Sequence, residues 1–277
     1  MSILTIAREH GAWTAKAAEC LAQRLLATIL NKEELERRLL EAGMKSKLFR
    51  QYDERKPGFL SAFSADQDIY LLYLKGVLLQ AASQGNVIVL GRGAHLLLKG
   101  LPNCLRVRLV APLEYRLRNV QEEYGYDQET ANRLIHKCDA DRAGFLHFHF
   151  NEEWADAPLY DLTINTSTLS QEQLLDLLSS QLSCRVTPPQ EEEARRLLGN
   201  RLLAQKVATA LLVEQKISLA FLDVLADDQG RVTLLGATTT AVAAHQAAEA
   251  ARHIPGVTEV VNQIRVAMEM VHPPHHL

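Results

Sequence analysis

Short apolar runs separated by amphipathic stretches set the pattern of the first two thirds of the chain. Ile3 to Ala7 is apolar apart from Thr5 and is expected to form a strand. Thr14 to Leu25 follows with helical spacing through Ala18, Leu21 and Leu25, and Ala27 to Leu30 reads as a second, shorter strand. Helical segments cover Glu33–Ala42 and Asp66–Gln84. The second of these ends at Ser83-Gln84-Gly85-Asn86, where glycine takes a left-handed cap without a Cβ penalty. Val87 to Leu90 is unbroken apolar, as expected of a strand covered on both faces. Leu105 to Val110 is a further strand, closed by Ala111-Pro112, and a helix carries Leu113 to Glu123. Asp127 suits the N-cap of a helix running through Lys137. Leu162 to Ile164 is the last strand and Gln171 to Leu182 the closing helix. Strands separated by helices predict an α/β fold with a three-layer parallel sheet.

The pattern changes at Thr187-Pro188-Pro189-Gln190-Glu191-Glu192-Glu193. Two prolines interrupt regular structure, and three acidic residues suit the positive start of a helix. Residues 1–186 and 187–277 are therefore read as two domains. The second begins with an amphipathic helix from about Glu192 to Gln215. Strands Ser218–Val224 and Arg231–Leu235 follow, joined through Ala226-Asp227-Asp228-Gln229-Gly230, whose Asp-Gln-Gly stretch favours a tight turn. An alanine-rich helix spans Thr238–His253, Ile254-Pro255-Gly256 stops it, and Val257–Val266 returns as a strand. This is a small α+β module.

Composition narrows the function classes. Of 277 residues, 47% are apolar and 23% charged, which is globular usage. A formal net charge of -3 argues against a strongly basic nucleic-acid binder. The four cysteines (Cys20, Cys104, Cys138 and Cys184) stand far apart with no CxxC pair, so no zinc or disulfide framework is indicated. Cys20 is expected to pack as a small hydrophobe. No apolar run approaches the roughly 18 residues of a membrane helix. The apolar start is too short for a secretory leader, and a cytoplasmic location is expected. The histidines of His272-Pro273-Pro274-His275-His276 read as a frayed tail rather than a metal site.

A strand followed by a loop and a helix is where a phosphate-binding loop stands, with backbone N–H groups and the positive helix end facing the anion. The GxxxxGK[ST] motif is absent; the loop reads Ala7-Arg8-Glu9-His10-Gly11-Ala12-Trp13-Thr14-Ala15-Lys16. Four further stretches follow in order: Gly91-Arg92-Gly93-Ala94 after an apolar strand; Val110-Ala111-Pro112-Leu113-Glu114-Tyr115-Arg116; Asp139-Ala140-Asp141-Arg142; and Tyr160-Asp161-Leu162-Thr163-Ile164-Asn165-Thr166. Together these resemble the cytidylate-kinase-like family of nucleoside monophosphate kinases over nearly all of residues 1–184. That family opens with an Arg-Glu-aromatic-Gly-Ser-Gly-Gly loop. Arg8, Glu9 and Gly11 match, His10 takes the aromatic place, and Ala12, Trp13 and Thr14 replace the serine and two glycines.

The resemblance implies a P-loop kinase fold, with ATP and magnesium and a nucleoside monophosphate as its ligands. It implies that Arg92 holds the acceptor phosphate with help from Arg116. It also places Arg142 and Asp139, as the catalytic pair, in a lid that closes over the transferring group. Arginine suits such roles as a planar, permanently charged, bidentate clamp. Arg8 and Gly11 of the loop, Gly91 and Gly93 beside Arg92, and Thr14 and Lys16 near the helix start complete the candidate nucleotide-binding set. Phe145-Leu146-His147-Phe148-His149-Phe150 is read as an amphipathic lid surface in preference to a two-histidine metal site. Trp13 brings a bulky indole to a position where the family has no side chain, either filling the loop or offering a face to a base. A phosphate cradle needs close backbone approach and positive φ, which glycine supplies, and this loop keeps one glycine, Gly11. The expected activity is CMP or dCMP phosphorylation, weakened or lost at the donor loop. The alternative is a non-catalytic nucleotide sensor or scaffold.

The second segment resembles a BON domain through Gly230-Arg231-Val232-Thr233-Leu234-Leu235-Gly236 and through Ile254 to Val266. Val232 and Leu234 are expected on one face of a strand, Thr233 and Leu235 on the other, with Gly236 and Gly256 at turns or caps. The family implies binding to phospholipid or another macromolecule. From residue 190 onward, eight Lys/Arg stand against ten Asp/Glu, which offers anionic headgroups little attraction. A protein partner is therefore the expectation, with membrane binding disfavoured.

Overall fold

The computed structural model describes residues 1–52 and 65–267. The chain forms two compact units, Met1–Arg195 and Arg196–Leu277. The first contains β1 (Ile3–Arg8), α1 (Ala15–Leu25), β2 (Thr28–Leu30), α2 (Lys32–Glu41), α3 (Ser46–Tyr52), α4 (Ala65–Gln84), β3 (Val87–Leu90), α5 (Ala94–Leu97), β4 (Cys104–Val110), α6 (Leu113–Tyr124), α7 (Gln128–Phe150), β5 (Leu162–Asn165) and α8 (Gln171–Ser183). Its five strands are all parallel, in the order β2-β3-β1-β4-β5.

Side-chain alternation along β1 explains the layers. Leu4 and Ile6 point to one face, where they pack with Ala18 and Leu21 of α1 and Leu174 and Leu178 of α8. Ala7 points to the other, against Leu146 of α7 and Leu159 and Tyr160. Cys20 packs at the margin of the first cluster. Local chemistry sets the helix starts. Thr14 Oγ1 accepts the Ala17 N–H at 3.3 Å and Asp127 accepts the Thr130 N–H at 2.7 Å. Ser170 and Gln173 close a reciprocal capping box.

Three expectations change. The helix from Asp127 does not stop at Lys137 but continues to Phe150, because Phe145, Leu146 and His149 supply a buried stripe that anchors it. The segment read as a lid surface is thus the inner face of a long helix. Its Phe145 and His149 pack with Tyr52 and Tyr70. The short helix α3 was not anticipated; its buried residues are Phe49 and Tyr52, too few to give a periodic apolar face. The prolines at 188 and 189 open a helix, α9 (Pro188–Thr209), instead of interrupting structure. A first helical turn needs no N–H from its leading residues.

The second unit holds β6 (Ala220–Ala226), β7 (Arg231–Thr238), α10 (Ala241–Arg252) and β8 (Glu259–Val266). The sheet order is β6-β7-β8, with β6 antiparallel and β8 parallel to β7. Val232 and Leu234 are buried with Val207, Leu211, Ala247 and Ala251, while Thr233 and Leu235 face the other side half-buried. Gly236 does not end a strand. It lies inside β7, where an added Cβ would stand 3.0 Å from the Ala220 carbonyl oxygen beside a bulge in β6. Among the described residues, no helix is long and apolar enough to cross a membrane. The histidines of the C-terminal tail lie outside the described residues.

Candidate functional site

The carboxyl end of the parallel sheet holds a small cleft lined by Arg8, Arg92, Arg142, His95, Phe145 and Trp154, with Gly91 and Gly93 at its wall. Three elements deliver the arginines. Arg8 ends β1, and Arg142 lies midway along α7 and donates to the Arg8 carbonyl oxygen at 2.7 Å. Arg92 follows β3 in a left-handed conformation (φ 53°), between Gly91 (φ 77°) and Gly93 (φ 65°). Three successive left-handed residues turn the chain sharply off the strand. The cost at Arg92 is about 1 kcal/mol or more, since its Cβ crowds the backbone there. The glycines carry no such penalty, and a Cβ at Gly93 would collide with the Phe150 ring. Arg92 is only 5% exposed and donates to the Leu90 carbonyl oxygen at 3.2 Å.

The loop between β1 and α1 is bound down from outside. The Glu9 N–H donates to the Leu109 carbonyl oxygen and the Ala12 N–H to the Glu9 carbonyl oxygen. The His10 N–H donates to Asp139 Oδ1 at 2.8 Å. Asn119 donates to the Gly11 carbonyl oxygen at 2.8 Å, and Thr166 Oγ1 donates to that of Ala12 at 2.7 Å. Gly11 has φ 82°, and a Cβ there would meet the Arg116 carbonyl oxygen at 2.7 Å. Trp13 is 8% exposed and packs in the core with Leu4 and Leu109. Its indole fills the loop from below, so the reading in which it offers a face to a base is withdrawn. The position that requires no side chain in a phosphate cradle is occupied by the hydrophobic core.

Other candidates separate. Arg116 does not line the cleft. It donates to Asp139 Oδ2 at 2.5 Å and to the Ala111 carbonyl oxygen at 3.0 Å, and lies 3.5 Å from Glu9. Those carboxylates draw it under the loop, so the expectation that it assists Arg92 is corrected. Asp139 lies in α7 with both oxygens engaged by the loop and Arg116. Thr14 is the N-cap of α1, and Lys16 is exposed in that helix's first turn. Glu9 accepts the Ala111 N–H at 3.1 Å and faces Arg108 at 3.6 Å.

Sequence reasoning missed His95 and Trp154. His95 is a lone histidine in the apolar run Ala94-His95-Leu96-Leu97, two positions after Gly93; that polar intrusion was the available signal. It is 2% exposed, its ring lies 4.7 Å from that of Tyr160, and burial, with the Arg106 charge, pushes it down to about 4. Trp154 sits under the Arg108 guanidinium at 5.2 Å, and its carbonyl oxygen accepts from the Tyr160 hydroxyl at 3.0 Å. His10 is likewise pushed down to about 4, by burial first and then by the Arg142 charge. Near neutral pH the cleft therefore presents guanidinium charge beside the uncharged imidazole of His95.

Among the described residues, no group of three His, Cys, Asp or Glu side chains could hold a metal ion. Ala12 stands where the family has a hydroxyl. With three loop N–H groups already paired, the loop does not fit a magnesium-bound triphosphate as a cradle.

A family model for the cytidylate kinase-like family matches residues 3–168, and one for the BON domain matches residues 200–268. The cytidylate kinase of Methanopyrus kandleri is 29% identical over 160 residues, 52% of this chain and 83% of that enzyme. That of Methanocaldococcus jannaschii is 31% identical over 103 residues, 36% of this chain and 58% of that enzyme. A solved structure of an uncharacterized protein from Eubacterium ventriosum superposes with a TM-score of 0.52 at 20% identity, covering 66% of this chain and 99% of that one, which shows a shared fold. With the parallel sheet, the left-handed Gly-Arg-Gly turn and the small mixed sheet in place, the chain belongs to the cytidylate kinase-like family and carries a BON domain after it.

Proposed function

We propose that the first unit grips the phosphate of a nucleoside monophosphate, CMP or dCMP, and acts as a slow kinase-like phosphotransferase with ATP as donor. The observation that carries this reading is the meeting of Arg8, Arg92 and Arg142 around one cleft. Three guanidiniums from separate elements bring forked donors to one cleft, and such forks match phosphate oxygens. In this reading Arg92 anchors the acceptor phosphate, with Gly91 and Gly93 allowing close approach. Arg142 lies across from it, over the Arg8 carbonyl, where charge on a transferring group would develop. Asp139 acts through the loop as a positioning residue. Gly11 keeps the loop in shape, and Lys16 is the cation at the start of α1 available to a donor phosphate. The paired N–H groups of Glu9, His10 and Ala12 are the reason for a low rate.

That same pairing favours a second reading, a nucleotide sensor without catalysis whose BON domain recruits a protein partner. One experiment separates the two. The full chain is incubated with ATP, magnesium and each nucleoside monophosphate, diphosphate is measured, and CMP-dependent thermal stabilisation is recorded in parallel. Turnover with CMP that is abolished by Arg92→Ala supports the transferase. Stabilisation by CMP without turnover supports the sensor, because ligand stabilisation grows with [L]/Kd whether or not chemistry follows. Absence of both would remove the phosphate reading.

A further inference from the structure

Beside the cleft, three rings lie nearly parallel, His10 half-buried and Tyr124 and Tyr126 on the surface. His10 stacks on Tyr124 with centroids 6.3 Å apart and planes 18° from parallel; Tyr124 stacks on Tyr126 at 5.7 Å and 17°. These separations are those of offset stacking, so the rings are tiled and each leaves part of a face uncovered. Tyr124 is 47% and Tyr126 42% exposed. Two large aromatics side by side in water lose the burial that usually justifies them. The backbone holds them there. Gly125 takes a left-handed conformation (φ 70°) as the cap of α6, and Asp127 at once caps α7, so the two tyrosines flank a tight reversal between helices. His10 anchors the inner end, tied through its N–H to Asp139.

We propose that Tyr124 and Tyr126, backed by His10, form a stacking surface for the planar base of a nucleoside polyphosphate whose phosphates lie toward Arg8 and Arg142. The inference rests on the arginine cleft being an anion site and adds where the base goes. His10 joins the two halves: its ring carries the ladder, while the charges of Arg142 and Arg8 act directly on it, and that of Arg8 reaches Tyr124 as well. Every base has a π-face, so the surface takes the base without reading its hydrogen-bonding edge, and purines, with more area, gain more than pyrimidines. The nucleotide then lies over the outside of the loop, whose own amides are already paired.

The test uses the full chain and three probes: adenosine, which has a base and no charge; inorganic tripolyphosphate, which has charge and no base; and ATP. Adenosine is expected to shift the ring-proton signals of Tyr124 and Tyr126 in tyrosine-labelled protein. ATP is expected to bind about five- to hundred-fold more tightly than tripolyphosphate, the range that base–aromatic stacking spans. Tyr126→Ala and Tyr124→Ala should each erase most of that gain and leave tripolyphosphate binding unchanged, while Tyr126→Phe keeps it. Unmoved tyrosine signals with adenosine, or ATP affinity equal in wild type and Tyr→Ala variants, would overturn the stacking surface. Adenosine shifts without any tripolyphosphate binding would uphold the stacking surface and overturn the arginine cleft as its phosphate end.

Discussion

The Asp139 carboxylate accepts the backbone N–H of His10 at 2.8 Å across 129 residues of sequence. Its other oxygen holds Arg116 at 2.5 Å, and Arg116 Nη1 lies 3.4 Å from the His10 carbonyl oxygen. A carboxylate thus sits at a loop amide where a phosphate oxygen would be expected in a cradle, and the loop is closed by the protein's own anion.

Removing that anion should loosen the first unit. Asp139→Ala leaves the His10 N–H unpaired and takes from the half-buried Arg116 one of its two carboxylate partners, Glu9 remaining at 3.5 Å, and is expected to cost about 1–3 kcal/mol. Asp139→Asn keeps an acceptor for the N–H and should cost less than half as much. Both tryptophans, Trp13 and Trp154, lie in the first unit. Urea unfolding followed by tryptophan fluorescence therefore reads this unit alone. Equal losses for the two variants would mean that the charge on Asp139, not the N–H contact, is the whole effect.

Two of the left-handed glycines, Gly11 and Gly93, should differ in tolerance. At Gly11 the obstacle to a Cβ is the Arg116 backbone, whereas at Gly93 it is the end of the Phe150 side chain, which can turn aside. Both variants carry the strain of positive φ, about 1 kcal/mol. Gly11→Ala should lose at least 1 kcal/mol more than Gly93→Ala in the same unfolding measurement, and the reverse order would contradict the close approach.

Lysine does not replace arginine where a planar, forked donor is required for two phosphate oxygens, the role proposed for Arg142. Arg142→Lys preserves charge but loses the fork that reaches both the Arg8 carbonyl and a ligand. It should reduce CMP-dependent thermal stabilisation about tenfold in apparent affinity, a change of about 1.4 kcal/mol. Arg118→Lys, on the surface of α6 outside the cleft, should leave it unchanged. A normal CMP response in Arg142→Lys would remove this residue from the site.

His10, His95 and His149 are each pushed down to about 4, with burial the first cause in all three. Unfolded histidine titrates near 6.5, so between these values the unfolded chain binds more protons than the folded one. Stability from these groups is fully present above about pH 6.5 and falls as pH drops toward 4. The slope approaches about 1.4 kcal/mol per pH unit for each histidine that titrates. Urea midpoints at pH 7, 6 and 5 should fall progressively, and His95→Asn should make the fall shallower. A flat profile over this window would show that the imidazoles are not held neutral.

Much of the fold could be read along the chain because its signals are local. The apolar blocks that became β1, β3 and β4 and the caps at Thr14 and Asp127 act over a few residues, so spacing alone exposes them. Arg92 was legible for the same reason, as a charge between two glycines after a buried strand. The end of α7 was misjudged because its last turns are held by Tyr52 and Tyr70, which are distant in sequence. His95 was passed over because a histidine in an apolar run resembles an ordinary core residue until its neighbours are known.

Sequence by itself determined the strand–helix alternation, the change to an α+β module near residue 190, and the loss of glycines from the phosphate loop. Those features depend on residue type and short spacing. Tertiary structure alone decided that Arg8 and Arg142 meet Arg92 while Arg116 turns to Asp139, and that Trp13 goes inward while Tyr124 and Tyr126 stay out. A guanidinium or an aromatic ring takes whichever partner lies within a few ångströms, and at separations such as the 134 residues between Arg8 and Arg142 only the packed sheet and helices determine which partner that is.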